Sequence, residues 1–283
     1  MPRFSARDGT GIFFEVSREG FPLIFLHPWP TDHAMWMLQV PVFSETYKVI
    51  TPDSRGLGIS DKIPEVRDFS LKRLSDDVGD LMDHLGIEKA FIVGNSLGGA
   101  VAEKFCLDHI ERVQASVWIG APTFPLGELL MDYDGRKNVP FVDVYTNALN
   151  EGYMNFWQKV WKPLMSYNYH ESFVKTYFGN YLVRYLFEER YARLNSDPRN
   201  AIAVLSGLDD VKSSLDEDLA KLTVSCAILC GDGDDTRPSC ERQHRAIPKA
   251  EFLVFKDSGH FCYMDQVETF NGFLRGFLER HSP

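Results

Sequence analysis

The stretch FIVGNSLGGAVAEKF, Phe91 to Phe105, changes character in its middle. Phe91-Ile92-Val93 is an aromatic and β-branched run that suits a strand, whereas AVAEKF favours a helix. Between them Gly94-Asn95-Ser96-Leu97-Gly98 fits G-x-S-x-G, with Ser96 at the turn. A residue at so sharp a strand-to-helix turn needs an unusual backbone conformation, and side chains two positions before and after it would collide. Glycine at 94 and 98 removes that collision. The helix that follows directs its unpaired N–H groups and the positive end of its dipole at the serine hydroxyl. A five-residue pattern means little by itself; a strand before it and a helix after it are the context that its chemistry requires.

The same alternation extends to both sides. Upstream, GIFFEV, FPLIFLH and YKVITPD read as strands. SLKRLSDDVGDLMDHLG carries Leu71, Leu74, Val78, Leu81, Met82 and Leu85 at helical spacing, with Gly86 as its stop. Downstream, GGAVAEKFCLDHI reads as a helix and VQASVWIGAP as a strand. VSCAILCGDGDD and AEFLVFKDSGH follow later as strands, and MDQVETFNGFLRGFLERH closes the chain as an amphipathic helix. Continuous apolar strands alternating with helices predict an α/β fold: a mostly parallel, doubly wound sheet covered by helices on both faces.

Residues 124–215 break the pattern. No parallel-sheet strand is evident there, and the region holds 17 of the chain's 37 aromatic residues. Their spacing predicts several helices with wide apolar faces, an insertion whose aromatics mostly pack and in part line a pocket. The expected organisation is a core domain made of 1–123 and 216–283, with a helical cap insertion at 124–215.

Composition excludes several classes. The chain has 283 residues, 25% charged and 44% hydrophobic, and a formal net charge of −10. It has no basic cluster for nucleic acid, and its negative charge disfavours anionic membranes. The N-terminal sequence is not a secretory signal, and no run of about 18 apolar residues marks a membrane span. The five cysteines, Cys106, Cys226, Cys230, Cys240 and Cys262, are odd in number and predict free thiols in a reducing, cytoplasmic setting. Cys226 and Cys230 share one face of a strand but have no companion ligands, so no metal is expected. The glycines of DSRGLGIS do not complete G-x-G-x-x-G, and no cofactor is expected.

A serine hydroxyl is a weak nucleophile without a base. His260, directly after the last strand, is the best candidate, because sheets of this kind carry ligand chemistry at the carboxyl ends of their strands. A carboxylate must fix the imidazole tautomer, and Asp232, Asp234 and Asp235 follow the preceding strand. The chain order serine, aspartate, histidine is the one this architecture uses.

HPWP, DSRGLGIS, GNSLGG, GDGDDTRP and SGH, in this order, resemble the α/β-hydrolase fold superfamily across nearly the whole chain. The resemblance implies further roles. The family's acid loop resembles G-x-x-D-x-x-x-P, a frame filled here by Gly231, Asp234 and Pro238, which singles out Asp234 ahead of Asp235 and Asp232. Some relatives carry the acid after the strand that follows the nucleophile helix, but WIGAPTFP has no carboxylate. By the same match Trp29 and Leu97 give the oxyanion N–H groups, although Pro28 stands where a glycine is usual. His27 is expected to hydrogen-bond beneath its loop, and Arg55 to hold the loop 53–61, with no chemistry for Asp53. His33, His84, His109, His170 and His244 are read as surface or packing residues without companions.

The implied function is a serine hydrolase acting through an acyl-enzyme on a small or medium apolar carboxylic ester or lactone. The alternatives are a C–C bond hydrolase of a ring-cleavage diketone, a cofactor-free perhydrolase or oxygenase, and a ligand receptor built on the hydrolase fold.

Overall fold

The computed structural model describes residues 2–62, 69–123, 130–133, 136–140, 143, 144, 147, 151, 169–190 and 216–283. Its centre is an eight-stranded sheet. The strands are β1 (Arg3–Ser5), β2 (Gly11–Ser17), β3 (Phe21–Leu26), β4 (Tyr47–Pro52), β5 (Ala90–Asn95), β6 (Val113–Ile119), β9 (Ser225–Gly231) and β10 (Glu251–Phe255). They lie in the order β1-β2-β4-β3-β5-β6-β9-β10, antiparallel at the β1–β2 and β2–β4 pairs and parallel elsewhere. β1 is three residues long and carries no periodic signal, which is why the sequence does not reveal it.

Side-chain alternation sorts the central strands between two cores. Leu23, Phe25, Val49, Phe91, Val93 and Val117 point to one face, and Ile24, Leu26, Ile50, Ile92 and Trp118 to the other. Both faces are covered, so each strand is apolar throughout rather than alternating. The second face is roofed by α1 (Leu71–His84) and α2 (Leu97–Asp108), and Cys240 of α3 (Arg237–Ala246) joins it. The first face is closed by Trp36, Phe43 and the C-terminal helix α4 (Val267–Arg280). The Ser70 hydroxyl caps α1 by accepting the Arg73 N–H, and Gly86, at φ +63, ends its turn. All five cysteines are free and buried, and Cys226 and Cys230 sit together in the second core.

Both ends of the expected insertion, and the aromatic run NFWQKVW, lie outside the described residues. Two helices, Glu171–Val174 and Tyr177–Val183, and a π-helical stretch, Arg184–Arg190, agree with a helical reading. A hairpin does not: β7 (Leu130–Tyr133) pairs antiparallel with β8 (Arg136–Pro140). The insert is therefore not all-helical. In sequence, Asp134-Gly135 is the dipeptide that favours a two-residue hairpin connection. No helix among the described residues is long and apolar enough to cross a membrane.

Candidate active site

Ser96 stands between β5 and α2 with φ 54 and ψ −118. This is strained for an L-residue, being the mirror image of ordinary extended backbone. The strain is held by neighbours on both sides: the Ser96 N–H donates to the Ile119 carbonyl at 2.8 Å, and its own carbonyl accepts the Ala100 N–H at 2.9 Å. The flanking glycines are required by contact. A Cβ on Gly94 would lie 2.1 Å from the Gly98 carbonyl oxygen, and one on Gly98 would lie 2.2 Å from that of Leu26. The close approach of Gly98 to Leu26 and His27 also brings the end of β3 against the serine turn.

Asp234 and His260 meet beyond the ends of β9 and β10. The His260 Nδ1 and Asp234 Oδ1 are 3.0 Å apart, and the carboxylate is almost fully buried. Thr236 donates its N–H at 2.8 Å and its hydroxyl at 2.7 Å to the same oxygen. Burial pushes the Asp234 carboxyl up, but the charge and hydrogen bond of His260, with Thr236, bring it below the usual range. For His260 burial pushes the imidazole down, while the charge and hydrogen bond of Asp234, helped by Asp235, hold it above its ordinary value of 6.5. With Nδ1 donating to Asp234, Nε2 is left as the basic nitrogen. Asp235 is exposed, and Asp232 accepts the Ser258 N–H at 3.1 Å, whereas Asp234 is hydrogen-bonded to His260.

The loop after β3 is pinned at Pro28. Its carbonyl accepts the Thr31 N–H at 3.0 Å, the Thr31 hydroxyl at 2.7 Å and the His27 Nδ1–H at 2.9 Å. His27 Nε2 accepts the Ser54 N–H at 2.9 Å. Both ring nitrogens are thus committed to backbone partners, and burial holds the ring neutral. Trp29 is half-buried against both cores, and the Trp29–Pro30 bond is cis. Arg55 binds Asp77 at 2.7 Å and Asp8 at 2.7 Å, matching its expected loop-holding role.

Two expectations need correction. His33 is not without companions: its N–H and Nδ1 reach Asp53 Oδ1 at 2.8 and 2.7 Å. Asp53 Oδ2 accepts the Ile59 N–H at 2.7 Å, so this carboxylate joins two loops. Arg190, from the π-helical stretch, places its Nε 2.8 Å from both oxygens of Asp32 and its Nη2 3.1 Å from His33 Nε2. His170 likewise has partners, with its N–H on Asp265 and its ring on Ser172. These links span 158 and 95 residues of chain and leave no local pattern. His84, His109 and His244 do pack, against Phe4, Phe105 and Phe252.

Asp32, His33 and Asp53 have the composition of a metal site, with ligand atoms within 4.8 Å of one another. The Arg190 guanidinium already supplies the cation. Replacing it by alanine leaves Asp32 buried without its partner, and Arg190→Ala is expected to lose about 3–5 kcal/mol in denaturant unfolding. The Asp32→Asn, Arg190→Met double variant should recover part of that loss.

Two further residues build the site without being evident in the sequence. Gly120, at φ +54 after β6, faces the acid–histidine pair; a Cβ there would lie 2.8 Å from Asp234 Oδ2 and from His260 Nδ1. Asn95 Nδ2 donates to the Ile119 carbonyl at 3.0 Å and to the His260 carbonyl at 3.3 Å, tying the serine turn to the histidine loop. The x in G-x-S-x-G gave no reason to weigh Asn95.

A family profile described as alpha/beta hydrolase fold matches residues 22–267. A soluble epoxide hydrolase of Corynebacterium sp. (strain C12) is 35% identical over 38% of this chain and 37% of its own length. A 2-hydroxymuconate semialdehyde hydrolase of Pseudomonas putida is 28% identical over 92% of this chain and 88% of its own. Among solved structures, a thermophilic esterase from Thermogutta terrifontis superposes with a TM-score of 0.82 at 23% identity, covering 100% of both chains.

Proposed function

We propose, because the chain belongs to the alpha/beta hydrolase fold family, that it is a serine hydrolase cleaving a small or medium apolar carboxylic ester or lactone. The observation that carries this reading is the strained Ser96 on the β5–α2 turn, tied through Asn95 to the loop of a His260 already hydrogen-bonded to Asp234. A conformation this costly at a polar residue is a mark of function rather than of packing.

In the proposed reaction His260 Nε2 takes the Ser96 proton as Oγ attacks the acyl carbon. The backbone N–H groups of Leu97 and Trp29 receive the oxyanion, each lowering the barrier by about 2.7–4 kcal/mol. His260 then protonates the leaving group, and water, activated by the same imidazole, releases the acid. Asp234 keeps the tautomer that leaves Nε2 basic. A serine at this position disfavours the epoxide-opening chemistry of the Corynebacterium relative, since the members that open epoxides use an aspartate there. The residues assigned to 124–215 are proposed to form the cap over the pocket and to set acyl size.

A fluorophosphonate is expected to label Ser96 of the wild-type protein, which should also turn over p-nitrophenyl acetate. The absence of both labelling and turnover would sink the proposal. One observation favours a second reading: the near full-length match to the Pseudomonas putida 2-hydroxymuconate semialdehyde hydrolase, together with the GNSLGG turn. Turnover of a vinylogous ring-cleavage diketone exceeding that of every ester tested would move the assignment to C–C cleavage by the same triad.

A further inference from the structure

Asp265 ends the short helix Cys262–Asp265, five residues beyond His260, and has no part in the reaction above. One of its oxygens, Oδ2, accepts two backbone N–H groups: that of Gly259 at 2.8 Å and that of His170 at 3.1 Å. Gly259 is the residue before His260. His170 opens the helix Glu171–Val174. The two segments also touch through Tyr169, whose hydroxyl donates to Met264 Sδ at 3.2 Å and whose ring lies 5.0 Å from that of Phe261.

We propose that Asp265 is a positioning residue that ties the loop carrying His260 to the 169–174 segment, so that the base is correctly placed only when that segment is seated. The inference rests on the serine-hydrolase reading and adds to it a link between the covering segment and the base.

The surroundings of the carboxylate support a functional rather than a stabilising role. Its second oxygen, Oδ1, is buried with no hydrogen-bond partner among the described residues. The groups facing it are His170 and Tyr169 from the covering segment, Cys262 and Tyr263 from its own helix, and the Gly259 backbone. Burial pushes the carboxyl up to about 6, against the opposing pull of the two N–H groups and His170. The folded state therefore holds this proton more tightly than the unfolded chain does. Stability contributed by this group falls as pH rises from about 4 to 6, and at pH 8 the charged form is a net burden. A group that the fold carries charged at a cost, and that grips the catalytic loop, is placed for positioning.

The test uses the full chain, p-nitrophenyl acetate and hydrogen exchange. Asp265→Asn keeps shape and one carbonyl oxygen but removes the charge. At pH 8 its kcat is expected to fall about tenfold to a hundredfold, the range for a misplaced catalytic group, with KM little changed and Tm not lowered. Below pH about 6 the wild type should lose kcat/KM with two protons, one for His260 and one for Asp265; the variant should lose it with one. Amide exchange should rise together at 169–174 and 257–260. His170→Pro removes the second donor together with the ring's contact to Ser172, at a φ of −67 that already suits proline, and should lower kcat as well. Wild-type kcat and a two-proton acid limb in Asp265→Asn overturn the inference. So does a loss of kcat matched by a lower Tm, which is what a purely structural acid would give. If the wild type is neither labelled nor active, the serine-hydrolase reading fails by itself, and the paired rise in exchange still decides the coupling.

Discussion

Ser96→Ala is expected to lower kcat on any ester substrate by about 10⁶-fold, the loss seen when a triad nucleophile is deleted. The residual rate should be that of the oxyanion site and binding alone. A packing serine would give a different result. Ser96 has φ 54 and ψ −118, a conformation that costs about 1–3 kcal/mol in any residue with a Cβ. Alanine keeps the Cβ and therefore keeps the strain, while glycine releases it. Ser96→Gly should thus be the more stable of the two variants, by about 1 kcal/mol or more, and just as inactive. Denaturant unfolding and active-site titration on the three proteins separate the two effects. Retained turnover in either variant would remove Ser96 from the reaction, however well the rest of the site is formed.

The second large effect is expected at Asp234. Asp234→Asn keeps the size of the side chain and replaces an acceptor oxygen with an amide. The hydroxyl and N–H of Thr236 claim the same oxygen that His260 Nδ1 meets, so the variant keeps an acceptor there but loses the negative charge that supports the imidazolium. Without that charge the imidazolium that forms when the serine proton is taken loses its main stabilisation. The loss expected when the acid of a triad is replaced by its amide is about 10⁴-fold in kcat. The pH profile carries independent information. In the wild type the base must be neutral, and its pKa is held above 6.5 by Asp234, so kcat/KM should fall on the acid side with a midpoint above 6.5. Without that charge, burial dominates and the midpoint should move to lower pH. An acid limb that stays where it was would assign the carboxylate partner elsewhere, Asp235 being the next residue to test.

Much of the architecture could be read from local pattern. The continuous apolar strands, the helical spacing from Leu71 to Leu85, and the glycines around Ser96 each follow from contacts a few residues apart. Asp234 and His260 stand just past strand ends, where chain order narrows the choice. What escaped had no local signature. Arg190 reaches Asp32, and Asp265 reaches His170, across long stretches of chain, and the residue types alone name no partner. Helix α3 escaped for another reason: Arg237–Ala246 is mostly polar, with only Ser239, Cys240 and Gln243 buried, so its hydrophobic face is too thin to show. Gly120 was visible as a glycine, but only the structure says what would collide with its Cβ.

The pairing of β6 with β9 sets Ala115 beside Ser225 and Ile119 beside Leu229. The sheet is completed only after the chain has travelled through residues 120–224 and returned. Closing such an excursion costs entropy that grows with the logarithm of its length, so halving or doubling it changes the balance by only about 0.6 kcal/mol. Changes in the length of that stretch are thus cheap for the pairing of the strands on either side. Among the described residues, the anchors that hold it to the core include Arg190 on Asp32, the His170 N–H on Asp265 and the packing of Leu182 and Leu186. New specificities can be grafted here at small entropic cost where those footholds are rebuilt.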